Sequence, residues 1–233
     1  MTAPAVHAHR GSPDPATGVG ENTLDAFLRA RRLGADGVEL DVRRTADGAL
    51  AVHHDPEIRG VGAVHQLRSD QLPASVPLLA AALRACEGLE VNIELKNLPT
   101  EPGFDPEERM ARDVAQLVVA AGRARTVVVS SFWPGSLDAV VRDHPELSTG
   151  LLVPSWLDPA DGVAEALRHG CRALHPHAST VGGTLVAEAR RAGLSLAVWT
   201  VNDRAQVEAM ADLGVDTVIT DDVPLALSAL GRA

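Results

Sequence analysis

Eight short apolar runs, each followed by a longer stretch whose apolar residues recur at helical spacing, constrain this chain more than any other feature. The runs are Ala5–His9, Gly37–Val42, Val91–Lys96, Thr126–Ser131, Thr149–Val153, Ala173–His175, Ser195–Thr200 and Thr217–Thr220. Short apolar or alternating runs read as strands, and stretches of period 3.6 as helices. The helical stretches are Thr23–Leu33, Leu78–Cys86, Pro106–Ala121, Gly135–Asp143, Pro159–His169, Gly183–Ala192, Asp203–Leu213 and Pro224–Leu230. Thr23, Asp105, Asp158 and Asp203 offer capping side chains at or near their starts, and Gly122, Gly170, Gly193 and Gly214 fall where helices should stop. Strand then helix, eight times over, predicts a TIM (β/α)8 barrel, and 233 residues is an ordinary length for one such domain. We therefore expect a single domain over residues 1–233. The competing arrangement, an open doubly wound sheet, lacks its usual G-x-G-x-x-G after the first strand.

One segment, about residues 43–77, breaks the rhythm and reads as a short insertion after the second strand. Asp47-Gly48 is a hairpin signal, so Ala49–His53 should run back as an extra short strand. Pro56–Pro77 reads as irregular.

Charge and hydropathy narrow the function classes. The formal net charge of −10 disfavours nucleic acid and anionic membrane surfaces as partners. A substrate anion would need a local positive site inside an acidic surface. No run approaches the roughly 18 apolar residues that span a bilayer, so stable membrane insertion is not expected. The N-terminus lacks the basic and apolar regions of a secretory leader. Cys86 and Cys171 have no metal-site spacing and read as reduced thiols. The expectation is a cytoplasmic protein acting on a small molecule, with the oligomeric state left open.

Strand alternation then isolates a polar constellation. Glu39 and Asp41 share one face of the second strand, and Asn92, Glu94 and Lys96 share one face of the third. The opposite faces, Val38–Leu40–Val42 and Val91–Ile93–Leu95, are the ones able to pack under helices. Glu39, Asp41, Glu94 and Lys96 should therefore point into the barrel near its C-terminal mouth. Burying like charges unpaired costs several kcal/mol per ion. A divalent cation would neutralise two of them, and all-oxygen ligands favour Mg2+ or Ca2+. The alternative is a salt-bridged network of Glu39, Asp41 and Glu94 with Lys96 and Arg10. Lys96 is the only lysine among 21 basic residues. A compact ammonium suits a phosphate beside a metal, whereas the planar fork of Arg10 can grip phosphate oxygens directly. His9 and His54 should open onto the same face, where imidazoles can act as acid and base near neutrality. His175 and His177 should stand at the rim.

These residues, with "HRG" at His9–Gly11, "ENT" at Glu21–Thr23, "ELDV" at Glu39–Val42, "HHD" at His53–Asp55, "ELK" at Glu94–Lys96, "SSF" at Ser130–Phe132, "VWTVN" at Val198–Asn202 and "GVDTVITDDV" at Gly214–Val223, resemble the glycerophosphodiester phosphodiesterase family. The resemblance runs through almost the whole chain. It implies a TIM barrel that hydrolyses glycerophosphodiesters to glycerol 3-phosphate and an alcohol. It implies His9 and His54 as the acid–base pair, Glu39, Asp41 and Glu94 as ligands of Mg2+ or Ca2+, and Arg10 and Lys96 on the phosphate, with family precedent for Trp199 at the site. Two departures are Gly20, where the family has proline before "ENT", and the shortness of the insertion. Rival readings are a lysophospholipase D-like phosphodiesterase, a lyase that stops at a cyclic phosphate, and a non-catalytic barrel binding a phosphorylated ligand. The few aromatics gather after strands: Trp133 after the fourth, Trp156 after the fifth, Trp199 at the end of the seventh. That placement suggests an apolar lip for the glycerol carbons or a longer chain.

Overall fold

The computed structural model describes residues 3–232. In chain order its elements are β1 (Ala5–Ala8), α1 (Leu24–Arg32), β2 (Gly37–Arg44), β3 (Leu50–Val52), β4 (Glu57–Ile58), β5 (Gly62–Ala63), α2 (Leu79–Ala85), β6 (Glu90–Leu95), α3 (Arg109–Ala120), β7 (Val127–Ser131), α4 (Pro134–Asp143), β8 (Ser148–Val153), α5 (Pro159–Arg168), β9 (Ala173–Pro176), α6 (Gly183–Ala192), β10 (Ser195–Val198), α7 (Arg204–Leu213), β11 (Thr217–Thr220) and α8 (Val223–Ala229). Strands β1, β2 and β6 to β11 pair in parallel in that order, and β1 also pairs with β11. The sheet therefore closes on itself as the eight-stranded TIM barrel that the alternation predicts, with no free barrel edge.

Local chemistry fixes the helix ends. The side chains of Thr23, Asp158, Asp203 and Asp222 accept backbone N–H groups at the starts of α1, α5, α7 and α8. Outward strand residues such as Val38, Leu40, Val91, Ile93 and Val129 are fully or almost fully buried beneath the helices. Inside the barrel, small residues make room for large ones. A side chain on Gly37 would lie 2.5 Å from His7 Nε2, and one on Gly150 would lie 2.6 Å from His175 Nε2.

The insertion is more ordered than its sequence suggests. The expected return strand is β3, antiparallel to β2 with Val42 opposite Val52. The stretch expected to be irregular contains the β4–β5 hairpin and two short 3-10 turns. Ala51, Ile58 and Val64 give it a small core of its own. Helix α3 begins at Arg109 rather than Pro106. Glu108 adopts a left-handed conformation (φ 54°), and its carboxylate is taken by Asn97, Trp133 and Ser136. Pro106 thus belongs to a tied loop. His175 lies within β9 and is buried, not at the rim. Its place on the strand face that points toward Gly150 explains the difference.

Candidate active site

The C-terminal ends of β1, β2 and β6 bring the predicted residues together. Register pairs Glu39 with Asn92 and Asp41 with Glu94 across β2 and β6, so the carboxylates stand in two adjacent layers. Three strands end one residue short of a functional side chain: His9 follows β1, Lys96 follows β6 and Trp199 follows β10. Lys96 keeps its ladder bond all the same, donating N–H to Val42 O at 3.1 Å. The turn after β1 is forced. Gly11 has φ 78°, and a side chain there would meet Ala26 Cβ at 2.8 Å. Arg10 is itself left-handed (φ 56°), and its N–H donates to Glu39 Oε2 at 2.9 Å.

His9, Arg10, Glu39, His54, Glu94, Lys96 and Trp199 line one cavity of about 210 Å3. Asp41 lies buried behind them, 3.1 Å through Oδ1 from Lys96 Nζ and 3.7 Å through Oδ2 from Arg10 Nε. The eight residues that the resemblance assigns to the site are thus in or against one pocket.

One oxygen each from Glu39, Asp41 and Glu94 lies within 4.8 Å of the others. Ligands at about 2.0–2.6 Å from a hard cation stand at most about 4–5 Å apart, so a single ion can reach all three. Burial, reinforced by Asp41, pushes the Glu39 carboxyl up to about 8. Burial raises Glu94 as well, against the pull of Lys96. Burial would also raise Asp41, but Lys96, His54 and the Asn22 hydrogen bond (2.8 Å) outweigh it and hold Asp41 low. Glu94 Oε1 lies 2.5 Å from Lys96 Nζ, yet it has no aligned hydrogen-bond donor. The salt-bridged network anticipated as the alternative is therefore present, and it leaves the acids under-compensated. An all-oxygen triad with charge to spare fits Mg2+ or Ca2+.

The two imidazoles are each tied to a carboxylate. His9 Nδ1 is 2.6 Å from Asp221 Oδ1, and its Nε2 is 3.9 Å from Glu39 Oε2. Burial would lower His9, but the Asp221 hydrogen bond and the charges of Glu39 and Asp221 raise it above its ordinary value. His54 Nδ1 is 2.7 Å from Asp55 Oδ1. Burial, then Lys96, lower His54 despite Asp41 and Asp55. Pairs of titratable groups pushed in opposite directions mark acid–base sites. Trp199 is held edge-on by Phe132 (5.6 Å) and His177 (5.1 Å), and its indole N–H donates to His175 O.

Sequence reasoning left the supporting residues without roles. Asp221 orients His9, and Asn202 holds Asp221 through a 2.5 Å bond. Asn22 grips Asp41 from both ends, donating from Nδ2 and accepting the Asp41 N–H. Glu21 takes two bonds from Arg10, at 3.0 and 3.1 Å. All four lie in the quoted motif segments, which were the only signal available.

Comparison with known proteins points to one family. Residues 9–225 match the model of the glycerophosphoryl diester phosphodiesterase family. A glycerophosphodiester phosphodiesterase of Caldanaerobacter subterraneus is 33% identical, over 93% of each chain. One from Bacillus altitudinis is 29% identical, over 93% of this chain and 94% of its own. Among solved structures, a glycerophosphodiester phosphodiesterase from Parabacteroides distasonis superposes with a TM-score of 0.82 at 26% identity, over 99% of this chain and 97% of the other. A phosphodiesterase from Oleispira antarctica, solved with the product sn-glycerol-3-phosphate, shares the fold with a TM-score of 0.83 at 23% identity, over 98% of this chain and 97% of its own. The chain belongs to the glycerophosphoryl diester phosphodiesterase family.

Proposed function

We propose that the chain hydrolyses glycerophosphodiesters, releasing glycerol 3-phosphate and an alcohol. The observation that carries this reading is one pocket holding two carboxylate-tied imidazoles, a buried acidic triad and two cationic side chains. The names of the relatives support the substrate class. We read residues 1–233 as one domain, because a single barrel accounts for every strand–helix repeat.

Glu39, Asp41 and Glu94 would hold Mg2+ or Ca2+. Such a cation, when bound, offsets the negative charge that builds on the phosphoryl oxygens. The remaining work falls to the side chains. Arg10 and Lys96 complement the charge of the diester in an otherwise acidic protein. One imidazole takes the proton of the attacking hydroxyl, and the other gives a proton to the departing alcohol oxygen. Where a hydroxyl of the substrate attacks, a cyclic phosphate forms, and water reopens it with the two roles exchanged. Asp221 and Asp55 fix ring orientation and tautomer for His9 and His54.

The test is a metal-titrated assay on a panel of glycerophosphodiesters, with a chelator as control. Activity should vanish with EDTA and return with Mg2+ or Ca2+. His9→Ala and His54→Ala should each lose about 10²–10⁴-fold with the circular dichroism spectrum retained. Substantial turnover by both variants would overturn the assignment. A persistent cyclic product in phosphorus NMR would make the enzyme a lyase instead.

A further inference from the structure

His9 and His54 are rooted differently. His9 continues a barrel strand, and its N–H still donates to Thr220 O at 2.8 Å. His54 stands two residues past the end of β3, in the bend that leads into the insertion. Just before it, the His53 N–H reaches Asp41 O at 3.0 Å. The carbonyl of His54 is taken by a side chain: Arg43 Nε donates to it at 2.7 Å. A peptide unit is planar and stiff, so a bond to that carbonyl fixes both the root of the imidazole and the start of Asp55. Asp55 in turn holds His54 Nδ1 at 2.7 Å, although its own side chain is 69% exposed. The buried tie on His54 is therefore the one from Arg43.

Strand β2 puts Arg43 where it can do this. Arg43 shares the strand face of Glu39 and Asp41, one layer nearer the mouth, and its side chain is only 7% exposed. The other arm of the fork, Nη1, donates to Glu101 Oε2 at 2.7 Å. Glu101 lies in the loop between β6 and α3, which begins at Lys96. One guanidinium thus ties the chain carrying His54 to the chain that follows Lys96. The two segments meet again where a side chain on Gly103 would come 2.6 Å from His65 Cβ. Arg43 does not line the phosphate pocket; it borders Lys96 from behind, across a space of about 20 Å3. It therefore acts through the main chain and not on the phosphate. A buried ion pair is by itself weak evidence for stability, and here one donor is spent on the backbone of a site histidine.

We propose that Arg43 is a positioning residue: it sets the main chain that aims the His54 imidazole into the phosphate pocket, and Glu101 holds its guanidinium in place. This role rests on the hydrolytic reading above and adds the side chain on which one of the two imidazoles depends. A misplacement of about 1 Å at a reacting group can cost about a hundredfold in rate. Because Arg43 stays clear of the phosphate, its loss should fall on kcat and spare KM.

The test separates the two bonds of Arg43. Glutamine carries its amide nitrogen as many bonds from Cα as arginine carries Nε, so Arg43→Gln can keep the bond to His54 O while giving up Glu101. Methionine has the same reach and no donor, so Arg43→Met gives up both. The full-length enzyme, saturated with Mg2+ or Ca2+, is assayed on glycerophosphocholine. Arg43→Met should lower kcat about 10–100-fold with KM within about threefold of the parent. Arg43→Gln should keep kcat within about threefold of the parent. Both variants strand Glu101 alike, so a role confined to the fold predicts equal losses. Equal losses, or a parental kcat in Arg43→Met, overturn the inference while leaving the hydrolytic reading intact. Should Arg43→Met not fold, the double variant Arg43→Met/Glu101→Gln strands no charge and should show the same loss of kcat. If the parent turns over no glycerophosphodiester, the hydrolytic reading fails, and crystal structures of the two variants judge Arg43. His54 should move by more than about 0.5 Å in Arg43→Met and keep its place in Arg43→Gln; an unmoved His54 in Arg43→Met overturns the inference.

Discussion

At the scale of single residues, orientation matters as much as proton affinity. Asp221 both turns His9 and raises its affinity for a proton. Asp221→Asn should therefore lower kcat about ten- to a hundredfold with little change in KM. It should also move the limb of the pH–rate profile that His9 controls toward lower pH, because a raising influence has been removed. A limb that stays in place would mean that Asp221 only supports the fold. Lys96 lies within 3.1 Å of two carboxylates in a crowded pocket, where its compact ammonium meets both. Lys96→Arg keeps the charge yet should lose about ten- to a hundredfold in kcat/KM. Glu39, Asp41, Glu94 and Lys96 were legible because strand alternation puts buried acids and a lone lysine on an inward face, whereas His9, Arg10 and His54 were placed by strand exits and motif resemblance, and Trp199 by the resemblance alone. Asp221 was not legible, because it acts on a histidine 212 positions away in sequence. No local pattern announces such a partner.

At the scale of elements, the turn between β1 and α1 sets the geometry of the site. Gly11→Ala would strain a backbone at φ 78° and drive a methyl into Ala26. We expect a loss of about 1–3 kcal/mol. That should appear as a fall in Tm of about 2–4 °C for each kcal/mol, with weakened cation binding because Arg10 N no longer meets Glu39 squarely. An unchanged Tm would contradict this account of the turn. All eight barrel strands and their helices could be read from periodicity, since each buries a full face. The β4–β5 hairpin could not. Its strands are two residues each, too short for any period to show. The start of α3 was misplaced because Asp105-Pro106 carries a genuine cap-and-proline signal, which the hydrogen bonds from Asn97 Nδ2 to Asp105 O and Glu108 Oε2 override.

At the scale of the whole molecule, two buried groups should tilt stability in opposite directions with pH. His175 is wholly buried with Nδ1 unpartnered, and burial, with His7, depresses it to about 3. The unfolded chain, near 6.5, binds that proton more readily, so stability is complete above about pH 6.5. It should drain away as pH falls toward 3, by up to about 1.4 kcal/mol per pH unit. Denaturant melts of His175→Gln should show a shallower acid slope; an identical slope would refute this. Glu39 behaves in the reverse sense. Its carboxyl is raised in the folded protein, so chelated protein should lose stability as pH climbs from 4.5 to about 8. Mg2+ or Ca2+ at about a hundred times its Kd should add about 2.7 kcal/mol, and a Tm indifferent to both ions would argue against the triad as a cation site. No helix among the described residues is long and apolar enough to cross a membrane. Lys96 leaves one last mark. The chain has a single ε-amine, and that amine is buried beside two acids and held protonated by them. Amine-directed acylating dyes and cross-linkers will find no side-chain amine on the outer surface. Modification at Lys96, when it occurs, should report directly on whether the phosphate pocket is filled.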